Sequence, residues 1–286
     1  MSFRVLYRIP FRSIVMLKQT RNLVIVAIAW GAIIGSACGD GLIFQLPPDG
    51  TFCKYAVTME GEGGAEGEKA KELPRFKMAN EGTMTISSVG EVTRSQQKCR
   101  WIELKSDIPK GKGYKKLVLE MLIPEDQLKR GKDPLSHCVL THFDPKPVDE
   151  KKLESYIDEG FNRVQYEIDR FRVSFPQPLE NTKSLMREAV ETPAGKFEDC
   201  EVITGTYDYD GPILGGARST FKGTYRIIIH PDAPYGVVSM DVQVEGREIH
   251  GDFAGSFVFT QKMVLAEVGK NAVSALPEAT EKGTNK

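Results

Sequence analysis

Three stretches in the last third of the chain alternate apolar and polar residues with a period of two, and this limits the fold more than any other feature. Phe221, Gly223, Tyr225, Ile227 and Ile229 share one side, with Lys222, Thr224 and Arg226 opposite. Val238, Met240, Val242 and Val244 alternate with Ser239, Asp241, Gln243 and Glu245. Phe253, Gly255, Phe257 and Phe259 alternate with Ala254, Ser256, Val258 and Thr260. Such a period sends successive side chains to opposite faces of a strand. Short connections between the stretches, with Glu245-Gly246-Arg247-Glu248 read as one turn, predict an antiparallel meander. Its apolar face has to be covered.

Similar patterns occur earlier. Cys53, Tyr55, Val57 and Met59 line one face of a strand from Thr51. Further strands are expected over Thr83–Val89, Cys99–Lys105, Lys115–Ile123 and Phe197–Thr206. Between them, the Gly/Glu run from Glu60 to Lys69 reads as a solvated hairpin tip or an insertion, and its carboxylates exclude a phosphate-binding loop. Pro124 opens a short helix, with Glu125 and Asp126 in its first turn, Lys129 and Arg130 in its last, and Gly131 as terminator. From Asp149, the spacing of Leu153, Tyr156, Ile157, Phe161, Val164, Ile168 and Phe171 predicts a long amphipathic helix, the natural cover for the sheet. Asp208-Tyr-Asp210-Gly211 reads as a turn, and Gly211–Ala217 as a lid or a long hairpin. Glycines inside strands, Gly223 and Gly255, indicate bends. The expected fold is a β-rich α+β domain: a single curved, half-barrel-like antiparallel sheet packed over one or two helices. Residues 38–269 form that domain, and 270–286 a disordered tail.

The amino terminus differs in charge from the rest. Residues 1–37 hold five basic residues and no acidic one, while the 286-residue chain has 38 basic and 39 acidic residues. Without the five, the chain has six more acidic than basic residues. The apolar run Leu23–Ile34 is short for a membrane span and fits the core of an export signal. Residues 1–37 therefore read as a signal peptide, with Met16 as the start that gives its basic segment a normal length. Gly35, Ser36 and Ala37 precede Cys38, leaving three options open: lipidation of Cys38 after cleavage, plain secretion, or an uncleaved anchor. The protein is expected in the periplasm or envelope, touching a membrane only through the signal or a lipidated Cys38. A net charge of −1 lacks the basic footprint of a nucleic-acid partner.

Cys53, Cys99, Cys138 and Cys200 are candidates for one or two disulfides, which an exporting compartment permits. No C-x-x-C pair, nucleophile elbow, H-E-x-x-H, P-loop or G-x-G-x-x-G occurs. His137 and His142, five apart, point away from each other in either a strand or a helix, which argues against a shared metal. No cofactor is expected and no catalytic residue is assigned.

Two segments are distinctive: Glu191-Thr-Pro-Ala-Gly-Lys-Phe-Glu-Asp-Cys200 and His230-Pro-Asp-Ala-Pro-Tyr-Gly-Val-Val238. With Trp101-Ile-Glu103, Leu122-Ile-Pro-Glu125 and the export signal, they resemble exported proteins of planctomycete-type bacteria and, distantly, the lipoprotein-carrier half-barrels. That resemblance implies an open, curved sheet holding an apolar groove. It implies no catalytic residue. The first expectation is therefore a non-enzymatic envelope protein binding a lipid or lipidated partner in a groove lined by Phe221, Tyr225, Ile227, Met240, Phe253, Phe257 and Phe259. The alternatives are an interaction module for other envelope proteins, with a sheet edge or the Gly/Glu loop as contact, and an exported hydrolase around His137, His142 or His230.

Overall fold

The two-residue period becomes cross-strand register. The computed structural model describes residues 43–66, 75–108, 117–132, 134, 137–144, 183–213, 217–250 and 253–276. They form ten strands: β1 (Phe52–Ala65), β2 (Phe76–Arg94), β3 (Gln97–Asp107), β4 (Leu117–Pro124), β5 (Leu140–Asp144), β6 (Lys183–Thr192), β7 (Gly195–Ile213), β8 (Ala217–Ile229), β9 (Val237–His250) and β10 (Phe253–Gly269). One sheet contains them all in the order β5-β4-β3-β2-β1-β10-β9-β8-β7-β6. Every neighbouring pair is antiparallel. The sheet is thus two meanders, β1–β5 and β6–β10, joined where the first strand pairs with the last.

The two meanders enclose one interior. Inward residues of β1–β4 and β7–β10 belong to a single apolar cluster that includes Tyr55, Met84, Ile102, Leu119, Val202, Ile227, Met240 and Met263. The sheet bends enough for β6 to approach β10. The expected single antiparallel sheet is therefore present, unclosed, with β5 and β6 at its edges. The expected helix from Asp149 lies outside the described residues.

Interior space is apportioned by pairing large residues with glycine across strands. Gly63, Phe257, Gly246 and Phe221 face one another in one row. A Cβ on Gly246 would lie 2.6 Å from both Phe221 Cβ and Phe257 Cζ. A Cβ on Gly205 would lie 1.8 Å from Tyr225 Oη. Both glycines are thus needed for close approach of an aromatic ring. This corrects the turn expected at Glu245–Glu248, because β9 runs straight through it to His250. Gly246 is there to admit two rings, not to reverse the chain.

Three other expectations change. β1 continues through the first half of the Gly/Glu run to Ala65, since Glu60–Gly63 pair with both β2 and β10 and Gly64 and Ala65 with β10. Asp208–Gly211 is strand, paired with Ser219–Lys222 of β8, and of the expected lid or hairpin Gly211–Ile213 pair with Ala217–Ser219, while 214–216 lie outside the described residues. The helix after Pro124 is one 3-10 turn, η1 (Glu125–Gln127). It stops early because Leu128 turns into the core and the Arg130 N–H donates to Phe44 O at 3.0 Å.

Two local arrangements fix the outside of the first meander. Cys99, Trp101 and Leu122 form a small second apolar cluster. Beside it, Glu103 of β3 stands opposite Glu120 of β4, and both are fully buried. The chain after β10 covers them. The Ala275 N–H donates to Glu103 Oε2 at 2.7 Å, and Ser274 Oγ donates to Glu120 Oε1 at 2.7 Å. Lys105 Nζ lies 2.8 Å from Glu103 Oε1 as an ion-pair contact. The beginning of the expected loose tail is therefore a strap. The candidate disulfides are not formed: Cys53, Cys99, Cys138 and Cys200 are free thiols. Cys53 and Cys200 lie in the main core, whereas Cys99 belongs to the separate outer cluster.

Candidate functional site

The interior has two different ends. At one, the start of β1 meets the residues before it and the turn after β8. Phe44 is buried there, its N–H donating to Tyr235 O at 2.8 Å. The Gln45 side chain donates to the carbonyls of Pro231 and Ala233, both at 2.7 Å. Tyr55 Oη donates to Val237 O, and Tyr235 Oη to Thr51 O, each at 3.2 Å. Burial pushes the Cys53 thiol up to about 12 and holds both tyrosines well above their ordinary range, so all three stay neutral.

The charge at this end is Arg100, whose side chain is only 6% exposed. Its guanidinium donates to Glu91 Oε1 at 2.5 Å, Glu125 Oε1 at 2.7 Å, Ser88 Oγ at 3.0 Å and Pro47 O at 3.4 Å. Asp49 Oδ1 lies 3.7 Å away. A buried guanidinium surrounded in this way is a structural rivet: its planar fork ties the amino-terminal segment, β2, β3 and η1 together.

The opposite end is built from the far ends of β1 and β9 and the starts of β8 and β10. Here the inward register reads Ala65, Gly255, Glu248, Ser219, Gly211 across five strands. Glu248 is the one long side chain in a row of small residues. It is 7% exposed, and its Oε1 has no hydrogen-bond partner. Desolvation raises its carboxyl to about 8, so it is mostly the neutral acid at neutral pH. Neighbouring Ser219 is fully buried, its hydroxyl 3.5 Å from Arg247 O. The next inward row holds Phe257 and Phe221, both buried, with Phe259 and Tyr225 beyond them. Glu248 is thus a neutral, unanswered acid at the edge of the buried apolar cluster.

The expected groove residues divide accordingly. Phe221, Tyr225, Ile227, Met240, Phe257 and Phe259 come together in the one buried cluster. Phe253 begins β10, opposite His250 in register. Cys38 lies outside the described residues. Of the histidines, His137 is exposed. His230 is held structurally, its Nδ1 accepting from the Asp232 N–H at 3.1 Å and its ring edge-on to Phe197 at 5.5 Å. Among the described residues, no group of three His, Cys, Asp or Glu side chains is placed to hold a metal ion. Nor is any helix long and apolar enough to cross a membrane.

Glu248 was missed from sequence because Gly246 was read as a turn. The signal was available: extending the inward parity of Met240, Val242 and Val244 two steps past Gly246 lands on Glu248.

Outside the sheet, side chains of β1, β8, β9 and β10 border a cleft of about 440 Å³. Glu60, Thr224, Arg226, Asp241, Gln243 and Lys262 line it, giving a polar surface of mixed sign. Arg226 is tied to Glu188 of β6 at 2.5 Å.

No protein-family model matches the chain, and no curated protein does. Solved structures similar to it include two of exported-type proteins. One is a candidate lipoprotein from Parabacteroides distasonis, with 13% identity and a TM-score of 0.34, covering 82% of this chain and 100% of that one. The other is a candidate exported protein with a YmcC-like fold from Bacteroides fragilis, with 12% identity and a TM-score of 0.30, covering 80% of this chain and 99% of that one.

Proposed function

We propose that this is an exported, non-enzymatic envelope protein that holds an apolar ligand, a lipid or a lipidated partner, inside its curved sheet. The ligand sits at the end of the interior where Glu248 lies. The observation that carries the reading is Glu248 itself. Leaving a buried polar group unanswered costs about 1–3 kcal/mol, and a ligand that answers it recovers that cost. Export rests on the basic segment, the apolar run Leu23–Ile34 and the small residues before Cys38.

Native mass spectrometry of protein exported from a bacterial host tests this reading. A lipid-sized mass that is retained under native conditions and released on denaturation is expected. A bare chain that also takes up no added apolar probe would overturn it. A mass that survives denaturation and maps to Cys38 would establish lipidation as a separate property.

A second reading, an interaction module of the envelope, is favoured by the outer cleft. Its alternating charges suit a polar partner surface. Charge reversal at Asp241 and Lys262 would then abolish capture of that partner while leaving ligand uptake unchanged.

A further inference from the structure

Resting on the second reading, in which the outer cleft is a contact site, we infer that this cleft takes a neutral, hydroxyl-rich ligand, a stretch of glycan chain. The cavity of about 440 Å³ opens on the outside of the sheet and falls within the size range of ligand sites. Two cross-strand rows line it, each running from β1 over β10 and β9 to β8. One is Thr58, Lys262, Asp241 and Arg226; the other is Glu60, Thr260, Gln243 and Thr224. Asp241 and Arg226 are half-buried and the rest are exposed. All have the parity opposite to Met59, Phe259 and Tyr225, so the core uses none of them.

Most of these polar groups are unspent. Among the described residues, Glu60, Asp241, Gln243 and Lys262 have no hydrogen-bond or ion-pair partner. Arg226 is engaged, its guanidinium donating to Glu188 of β6 at 2.5 Å, which fixes its direction. Asp241 stands in register between Lys262 and Arg226 and pairs with neither. Neighbouring strands lie about 4.8 Å apart, and two hydrogen bonds of about 2.8 Å through one oxygen span such a gap. A hydroxyl does this, because it donates to the carboxylate and accepts from the cation at once. A peptide N–H only donates and a carbonyl only accepts. The balance of charge points the same way, with Glu60 and Asp241 against Arg226 and Lys262. An anion in the cleft meets two carboxylates, and a cation meets a guanidinium and an ammonium. An apolar chain strips water from all four. A chain of neutral hydroxyls pairs with both signs and with the Gln243 amide.

Titration calorimetry on the full chain tests this with six-unit probes. Maltohexaose, cellohexaose and chitohexaose are neutral; hexagalacturonate is an anion, the glucosamine hexamer a cation, and hexaglycine a peptide. At least one neutral glycan is expected to bind with a Kd between about 10 μM and about 1 mM. Its affinity should be the same at about 0.05 and about 0.5 M salt, since binding neutralises no charge. Asp241→Ala and Gln243→Ala should each weaken it about tenfold, the worth of about one hydrogen bond. Lys222→Ala, exposed on the same face of β8 but outside the cleft, should leave it unchanged.

Tighter, salt-sensitive binding of hexagalacturonate or the glucosamine hexamer would overturn the neutral ligand and make the cleft an ion site. Preference for hexaglycine would replace the glycan with a peptide. In both cases the second reading stands. Glycan binding that survives both Asp241→Ala and Gln243→Ala would move the site off the cleft and overturn the inference. If no neutral glycan binds, the inference falls, and the second reading falls with it only if charge reversal at Asp241 and Lys262 leaves partner capture intact.

Discussion

Arg100 and Glu248 are both buried on the inward side of one sheet, at its two ends, and the chain treats them in opposite ways. Arg100 meets carboxylate oxygens of Glu91 and Glu125, the Ser88 hydroxyl and a backbone carbonyl, with Asp49 close by. Glu248 has Ser219 and glycine for neighbours and an oxygen without a partner. Placing an ion in a protein interior is costly in both cases. At the first end, the cost is offset by connections that hold four segments together. At the second end nothing offsets it, and the carboxyl responds by keeping its proton. The difference teaches that burial alone does not mark a site. A buried charge with all its partners belongs to the framework; one without them keeps its proton and leaves an unsatisfied group.

The largest expected effect comes from breaking the answered end. Arg100→Met leaves Glu91 and Glu125 without their shared cation and loosens the segment around Pro47. Unfolding in urea should show a loss of about 2–3 kcal/mol, the worth of the charged hydrogen bonds that a buried guanidinium gives up while its partly exposed carboxylates regain water. A loss below about 1 kcal/mol would mean that the cluster behaves like surface charge, and the contrast with Glu248 would collapse.

The unanswered end should respond with the opposite sign. Glu248→Leu removes a group that folding leaves unsatisfied, so stability should rise by about 1–3 kcal/mol at pH 8. The sign of the pH dependence follows from the direction of the shift. Folding raises the carboxyl from its ordinary value near 4.5 to about 8. The folded state therefore binds the proton more tightly than the unfolded chain. Stability from this group is full below the ordinary value and is lost as pH rises through about 8. Wild-type protein should lose stability relative to Glu248→Leu between pH 5 and pH 8. Parallel stability curves for the two proteins across that window would show that Glu248 is solvated.

Much of this architecture is readable in the sequence, for a physical reason. The strands of the second meander are long, antiparallel and buried on one side, so their alternation survives as a pattern over Phe221–Ile229, Val238–Val244 and Phe253–Phe259. The joining of β1 to β10 is not readable, because it depends on a pairing more than 200 residues apart in sequence, such as Cys53 with Val268. The inward-facing aromatics were found because they share a parity. Glu248 was not, because a glycine beside a charged residue has the local signature of a turn. What distinguishes Gly246 is the pair of rings from β8 and β10 packed against it, and that is tertiary information. Arg100 was hidden for a similar reason. It is one polar residue in a strand, and its partners come from β2, η1 and the segment before β1.

A smaller effect at the answered end sharpens the comparison further. Tyr55→Phe removes only the hydroxyl that donates to Val237 O, while the ring stays in the core. The expected loss is about 1 kcal/mol, the net worth of one buried hydrogen bond plus the carbonyl left behind. Ligand uptake should be unchanged, since Tyr55 lies most of the length of β1 away from Ala65 and the row of Glu248.

The smallest expected effect is a coupling near zero. Arg100 and Glu248 lie on β3 and β9, with β2, β1 and β10 between them in the sheet. They share no partner in any of the contacts described. A double-mutant cycle of Arg100→Met and Glu248→Leu should therefore be additive to within about 0.5 kcal/mol, as for independent sites. Both variants are needed, because their single effects have opposite signs and a nearly neutral double mutant could be mistaken for compensation. The cycle separates the two cases: additivity means that each end of the interior balances its own charge. A coupling above about 1 kcal/mol would mean that the field of Arg100 reaches Glu248 along the sheet. The neutral state of the carboxyl would then belong to the whole interior, and the two ends could no longer be treated as framework and site.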